Sequence, residues 1–178
     1  MKNNLFVKIF VVFLFCAAFS TGVNAQNMFS KGDNILNLGV GIGSSFGGSG
    51  YSSAIPPLSI SYERGIIDNL FDEKSSLGIG GYLGYTSDKY SVYTRSIAII
   101  GARGVLHYQL VDKLDTYGGI MLGYTNYSWS SDWASPDYNP LLWSLFIGGR
   151  YYFKDNIAAF AELGYGIAYL QLGVSFKF

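Results

Sequence analysis

The chain has 178 residues, with 12 Lys+Arg balanced by 12 Asp+Glu, one His and one Cys. Charged residues are only 13% and aromatics 17%, where an ordinary soluble domain carries about 25% charge. The length suits one domain, zero formal charge without a Lys/Arg-rich run argues against a nucleic-acid partner, and 23 glycines with so little charge favour a membrane β-protein over a soluble enzyme.

Met1 to Ala25 reads as a secretory signal peptide. Lys2 and Lys8 give the positive start, Ile9 to Phe19 is apolar, and Val23-Asn24-Ala25 presents small residues where a signal peptidase reads. The alternative, a transmembrane anchor, needs roughly 20 apolar residues. Phe15 is too bulky for the position before Cys16 in a lipoprotein signal. Cleavage after Ala25 leaves a domain of residues 26–178, with 10 basic against 12 acidic residues and no cysteine. Disulfides and Cys-based metal or redox sites are thereby excluded. No later run reaches the length of a membrane helix.

Beyond Asp33 the apolar period is two. Leu36, Leu38, Val40 and Ile42 alternate with Asn37, Gly39 and Gly41; Leu58, Ile60 and Tyr62 with Ser59, Ser61 and Glu63; Leu77, Ile79, Leu83 and Tyr85 with Gly78, Gly80 and Gly84. Ala98, Ile100, Ala102, Leu106, Tyr108 and Leu110 oppose Arg103, His107 and Gln109. A fifth strand over 117–128 has two mixed faces that the pattern leaves unassigned. Trp143, Leu145, Ile147, Tyr151 and Phe153 alternate with Ser144, Gly148, Arg150 and Tyr152, and Ala159, Ala161, Leu163 and Tyr165 with Phe160, Glu162 and Gly164. Leu170, Leu172, Val174, Phe176 and Phe178 oppose Gln171, Gly173, Ser175 and Lys177, making eight strands.

The connections alternate between long and short. Ser44 to Pro56, Thr86 to Arg95 and Ser128 to Pro140 are long, whereas Val111 to Leu114 and Lys154 to Asn156 are tight polar turns. Gly65 to Lys74 and Gly166 to Ala168 depart from that rule. The pattern predicts an all-β fold, an eight-stranded antiparallel up-and-down transmembrane β-barrel with long outer loops and short periplasmic turns. Hydrocarbon requires it to close, because an open edge leaves backbone groups unpaired. Eight strands enclose only enough space for side chains. Tyr62, Tyr108, Tyr117, Tyr151, Phe153, Phe176 and Phe178 are expected in a periplasmic aromatic belt, and Tyr85, Trp129, Trp143, Tyr165 and Tyr169 in an outer one. The alternative is the ordinary preference of aromatics for strands.

The C-terminal run Tyr169-Leu170-Gln171-Leu172-Gly173-Val174-Ser175-Phe176-Lys177-Phe178, the pairs Gly81-Tyr82, Gly84-Tyr85, Gly123-Tyr124 and Gly164-Tyr165, and Ala161-Glu162-Leu163 resemble the small eight-stranded OmpA/OmpX-type outer-membrane barrels of Gram-negative bacteria. The likeness spans residues 26–178. It implies location in the cell outer membrane and contact with outer-membrane lipid. It also implies recognition by the outer-membrane assembly machinery through Tyr169, Leu172, Val174, Phe176 and Phe178. With the barrel ending at Phe178, no peptidoglycan-binding domain is expected.

Glu63, Arg103, Arg150 and Glu162 all have inward parity. An Arg facing lipid near the midplane costs about 2–4 kcal/mol, so an ion-pair network filling the lumen is expected; a narrow gated path through the same charges is the alternative. His107 is the single histidine, which excludes a multi-His metal site. It stands near the periplasmic strand end without a Gly-x-Ser-x-Gly elbow, so neither catalysis nor a cofactor is expected. Trp129, Trp133 and Tyr138 suit contact with a surface protein or glycan, or packing on the rim. No loop has calcium-site spacing, and Gly43 to Gly50 lacks the Lys-Ser/Thr of a P-loop. A non-enzymatic structural or surface-interaction role is expected. The other readings are an outer-membrane lipid-modifying enzyme and a soluble lipocalin-like carrier, the latter disfavoured by the missing Gly-x-Trp.

Overall fold

Strong period-two alternation lets one face of every strand meet an apolar surround while the other turns inward. In the computed structural model, which describes residues 28–46, 50, 52–90, 93–130 and 140–178, this alternation is built into eight strands. They are β1 (Asn34–Ser44), β2 (Ser52–Asp68), β3 (Ser75–Tyr90), β4 (Tyr93–Val111), β5 (Leu114–Trp129), β6 (Leu141–Lys154), β7 (Ile157–Gly164) and β8 (Ala168–Lys177). Each pairs antiparallel with its sequence neighbour, and β8 returns to β1 to close the barrel. The closing ladder sets Leu38 opposite Val174 and Val40 opposite Leu172. Backbone bonds in both directions between Asn34 and Phe178 fasten the two ends of the barrel together. The expected leader, residues 1–25, lies outside the described residues.

The outward face is apolar around the wall. Ile42, Ile79, Ile100, Leu122, Leu145, Ile147 and Leu163 are all exposed there. Tyr62, Tyr108, Tyr151, Phe153 and Phe178 stand exposed toward the end holding both termini, called here the inner end; Tyr85, Trp143, Tyr165 and Tyr169 stand exposed toward the other, outer end. Two aromatics depart from the expected belts. Tyr117 is 5% exposed and points into the lumen, because β5 turns Asp115, Tyr117, Met121 and Thr125 inward and Ile120, Leu122 and Tyr124 outward. Trp129 shares the inward parity and meets the Arg95 guanidinium at 5.8 Å.

The strands outrun the sequence pattern at both ends. Residues 86–95, expected as an outer loop, continue the β3–β4 ladder through Thr86↔Ile97 and Asp88↔Arg95 to Tyr90↔Tyr93, so only 91–92 connect them. Likewise β2 begins at Ser52 and runs to Asp68, which shortens the expected 44–56 and 65–74 connections. The physical reason is that alternation records an apolar surround, whereas backbone pairing continues into water. About 9–11 residues cross a bilayer; β4 has 19, while β7 has 8. One wall of the barrel is therefore much taller than the other at the outer rim.

Candidate functional site

Small and polar inward positions leave the lumen to a few large side chains, and the charged ones sort into layers. Near the inner end, strands β2, β4, β5 and β6 deliver Glu63, His107, Asp115 and Arg150 to one level. Arg150 donates through Nη2 to Glu63 Oε2 at 2.7 Å and through Nη1 to Asp115 Oδ2 at 2.9 Å. His107 places Nδ1 2.9 Å from Asp115 Oδ1 and Nε2 in hydrogen-bond contact with Glu63 Oε1. Two carboxylates and two nitrogen bases thus close a ring of four, and all four side chains are at most 5% exposed. Buried charges are tolerated only when paired and hydrogen-bonded, and this ring satisfies both carboxylates from two sides.

One level further out, Arg103 Nη2 lies 2.6 Å from Glu162 Oε2. The Tyr117 hydroxyl donates to the same Glu162 oxygen at 3.2 Å. Tyr117 also separates the levels, for its ring takes the Arg150 guanidinium at 4.3 Å. Arg103 stacks over Phe146 at 3.7 Å. Arg planes suit aromatic faces in this way because guanidinium is weakly hydrated. Beyond this level the lumen is mainly apolar, packed by Tyr82, Ile97, Ile99, Met121, Phe146 and Ile167. Near the outer rim a further pair, Arg95–Asp88 at 3.1 Å, lies buried, and Arg95 also donates to the Phe46 carbonyl at 2.7 Å.

The inner mouth is crossed by residues 28–33, which precede β1. Phe29 is 3% exposed, and its ring stacks on His107 at 4.0 Å. Outside the lumen, the turn between β2 and β3 carries Asp72, whose Oδ2 accepts from the Tyr108 hydroxyl at 2.9 Å. That bond holds the Asp72 carboxyl below the usual carboxylate range.

Of the residues singled out by sequence, Glu63 and Arg150 meet at the inner level and Arg103 and Glu162 at the next. His107, the single histidine and of inward parity, is one member of the ring of four. Asp115 was not singled out, since the fifth strand was expected only from 117 with both faces mixed, whereas β5 begins at Leu114; its parity with Tyr117 and Met121 was the available signal. Asp88 and Arg95 were missed because they lie in the segment read as a loop. Tyr169, Leu172, Val174, Phe176 and Phe178 all face outward on or just after β8. Trp133 and Tyr138 lie outside the described residues. Among the described residues no group of His, Cys, Asp and Glu is placed to hold a metal ion.

The sequence matches no protein-family model, and no curated protein matches it significantly. Solved structures do match. The chain is similar to Ail, the attachment invasion locus protein of Yersinia pestis, solved in complex with the heparin analogue sucrose octasulfate: 12% identity, TM-score 0.54, covering 83% of this chain and 99% of that one. It is similar to the outer membrane protein OprG from Pseudomonas aeruginosa at 11% identity and TM-score 0.50, covering 86% and 99%. A de novo designed transmembrane β-barrel matches at 14% identity and TM-score 0.51, covering 84% and 98%. The fold is that of the small eight-stranded transmembrane β-barrels.

Proposed function

We propose that this protein is exported by its leader, cleaved after Ala25, and inserted in the outer membrane as an integral barrel with a side-chain-filled lumen. Its role is structural or surface-interacting rather than enzymatic. The observation that carries this reading is the inversion of the wall: exposed Leu, Ile and Val outside, and buried Glu, Asp, Arg and His inside. A soluble carrier of this shape needs the reverse. The outward row Tyr169, Leu172, Val174, Phe176 and Phe178 supports recognition of the last strand by the assembly machinery. Against catalysis, both His107 nitrogens face carboxylates, so neither is free to take a proton from a nucleophile. Two stacked charged levels in an eight-stranded lumen support a plug over a conduction path. Partners outside the cell would meet the tall outer rim, where the β3–β4 hairpin and Trp129 stand.

The test is a heat-modifiability gel on fractionated cells expressing the full chain. An outer-membrane band whose unboiled form migrates apart from the boiled form supports the proposal. A soluble periplasmic product without that shift overturns it.

A further inference from the structure

Residues 28–33 do more than lead into β1. They cross the inner mouth of the lumen and are tied to four different strands. The Met28 amide donates to Gln109 Oε1 on β4 at 2.7 Å, and Ser76 Oγ on β3 donates to the Phe29 carbonyl at 3.0 Å. Lys177 Nζ on β8 donates to the Met28 carbonyl at 3.2 Å, and the Lys31 amide donates to Asp68 Oδ1 on β2 at 2.5 Å. The wall is shaped to receive this segment. A Cβ on Gly65 would lie 2.2 Å from the Ser30 carbonyl oxygen, and one on Gly78 would lie 3.1 Å from the Phe29 ring. Phe29 itself covers His107, so among the described residues an apolar ring lies between the ring of four and the inner-side solvent.

We infer that residues 28–33 are a seated stopper. They close the inner mouth and keep the Glu63–His107–Asp115–Arg150 level dry; lifting them gives water and small solutes on the inner side access to it. Excluding water matters there because ion pairs strengthen in a low dielectric. The stopper is held by hydrogen bonds from one short irregular segment, whereas each strand is held by a whole ladder. It is therefore the part of the lumen wall that opens at least cost.

The test is thiol accessibility in detergent micelles, using protein purified from cells expressing the full chain with Cys16→Ser. Ser76→Cys places a thiol of similar size and weak donor capacity beneath Phe29, weakening one tie while those of Gln109, Lys177 and Asp68 keep the segment seated. A charged methanethiosulfonate reagent is expected to leave this thiol protected. Adding Phe29→Ala should speed labelling by roughly tenfold or more, and Phe29→Leu in its place should restore most of the protection. Gly65→Ala unseats the segment from the wall side without touching Phe29, and should also speed labelling. It decides the matter if Phe29→Ala does not yield a closed barrel on an unboiled gel. A thiol at Asp112→Cys on an exposed turn should label equally in every background. Equal rates at Ser76→Cys with and without the stopper changes, whether all fast or all slow, overturn the inference. Because the readout needs no outer membrane, its failure is separate from a failure of the proposed location.

Discussion

The inner and outer parts of the lumen solve the same filling problem in different ways. At the inner level, four ionisable side chains from β2, β4, β5 and β6 each require particular partners at particular distances. Further out, below the buried Arg95–Asp88 pair, Ile97, Ile99, Met121 and Ile167 fill space by contact alone. Apolar filling tolerates substitutions that conserve volume. Ionic filling does not, since a lost partner leaves a charge stranded in a dry site. The inner part therefore specifies the arrangement of strands, and the outer part mainly supplies bulk.

Substitutions can break or sharpen that contrast. Arg150→Met has the largest expected effect, since it strips a donor from Glu63 and Asp115 together; a loss near 5 kcal/mol is expected, read as a lowered urea midpoint of the refolded barrel. Arg103→Met should cost less, about 3 kcal/mol, because Glu162 keeps the Tyr117 hydroxyl. Adding Glu162→Leu to Arg103→Met should recover most of that loss in the same unfolding measurement. In the outer part, Ile97→Val removes one buried methyl group and should cost about 1 kcal/mol. A loss at Ile97 as large as that at Arg150 would erase the distinction between the two parts. The smallest effect belongs outside the lumen. Tyr108→Phe removes the hydroxyl bonded to Asp72, so the folded-state titration of that carboxyl, followed by NMR, should move up toward the ordinary carboxylate range.

Alternation made the closed wall legible because hydrocarbon imposes it residue by residue. It also fixed the inward parity of Glu63, Arg103, His107, Arg150 and Glu162, though parity alone cannot say which carboxylate meets which base. That choice depends on the stagger of neighbouring strands, and stagger appears only in the ladder pairings, such as His107↔Tyr117 and Gly148↔Glu162. β5 was opaque for another reason. Glycine at 118, 119 and 123 lies on both faces, so its apolar outward row is interrupted and Asp115 carries no contrast. Above the apolar band the inward side chains are polar as well, Thr86, Asp88 and Arg95 being buried there, so Thr86 to Arg95 shows no apolar alternation and looks like a loop although its backbone is paired. The stopper had no periodic signal at all. Its hydrogen bonds to four strands and the stacking of Phe29 on His107 reveal it.

The join between β8 and β1 brings together the two ends of the domain, which no sequence-local hairpin can align. At that join Gly39 lies opposite Gly173. The Phe160 ring crosses the inside of the pair: a Cβ on Gly173 would lie 2.7 Å from it, and one on Gly39 would lie 3.0 Å from it. If β1 slipped by two residues so that Asn37 came opposite Gly173, inward parity would be preserved, yet an amide side chain would occupy the place of the ring. The closing seam thus carries its own alignment check, a notch in one hem that accepts a tab from the other.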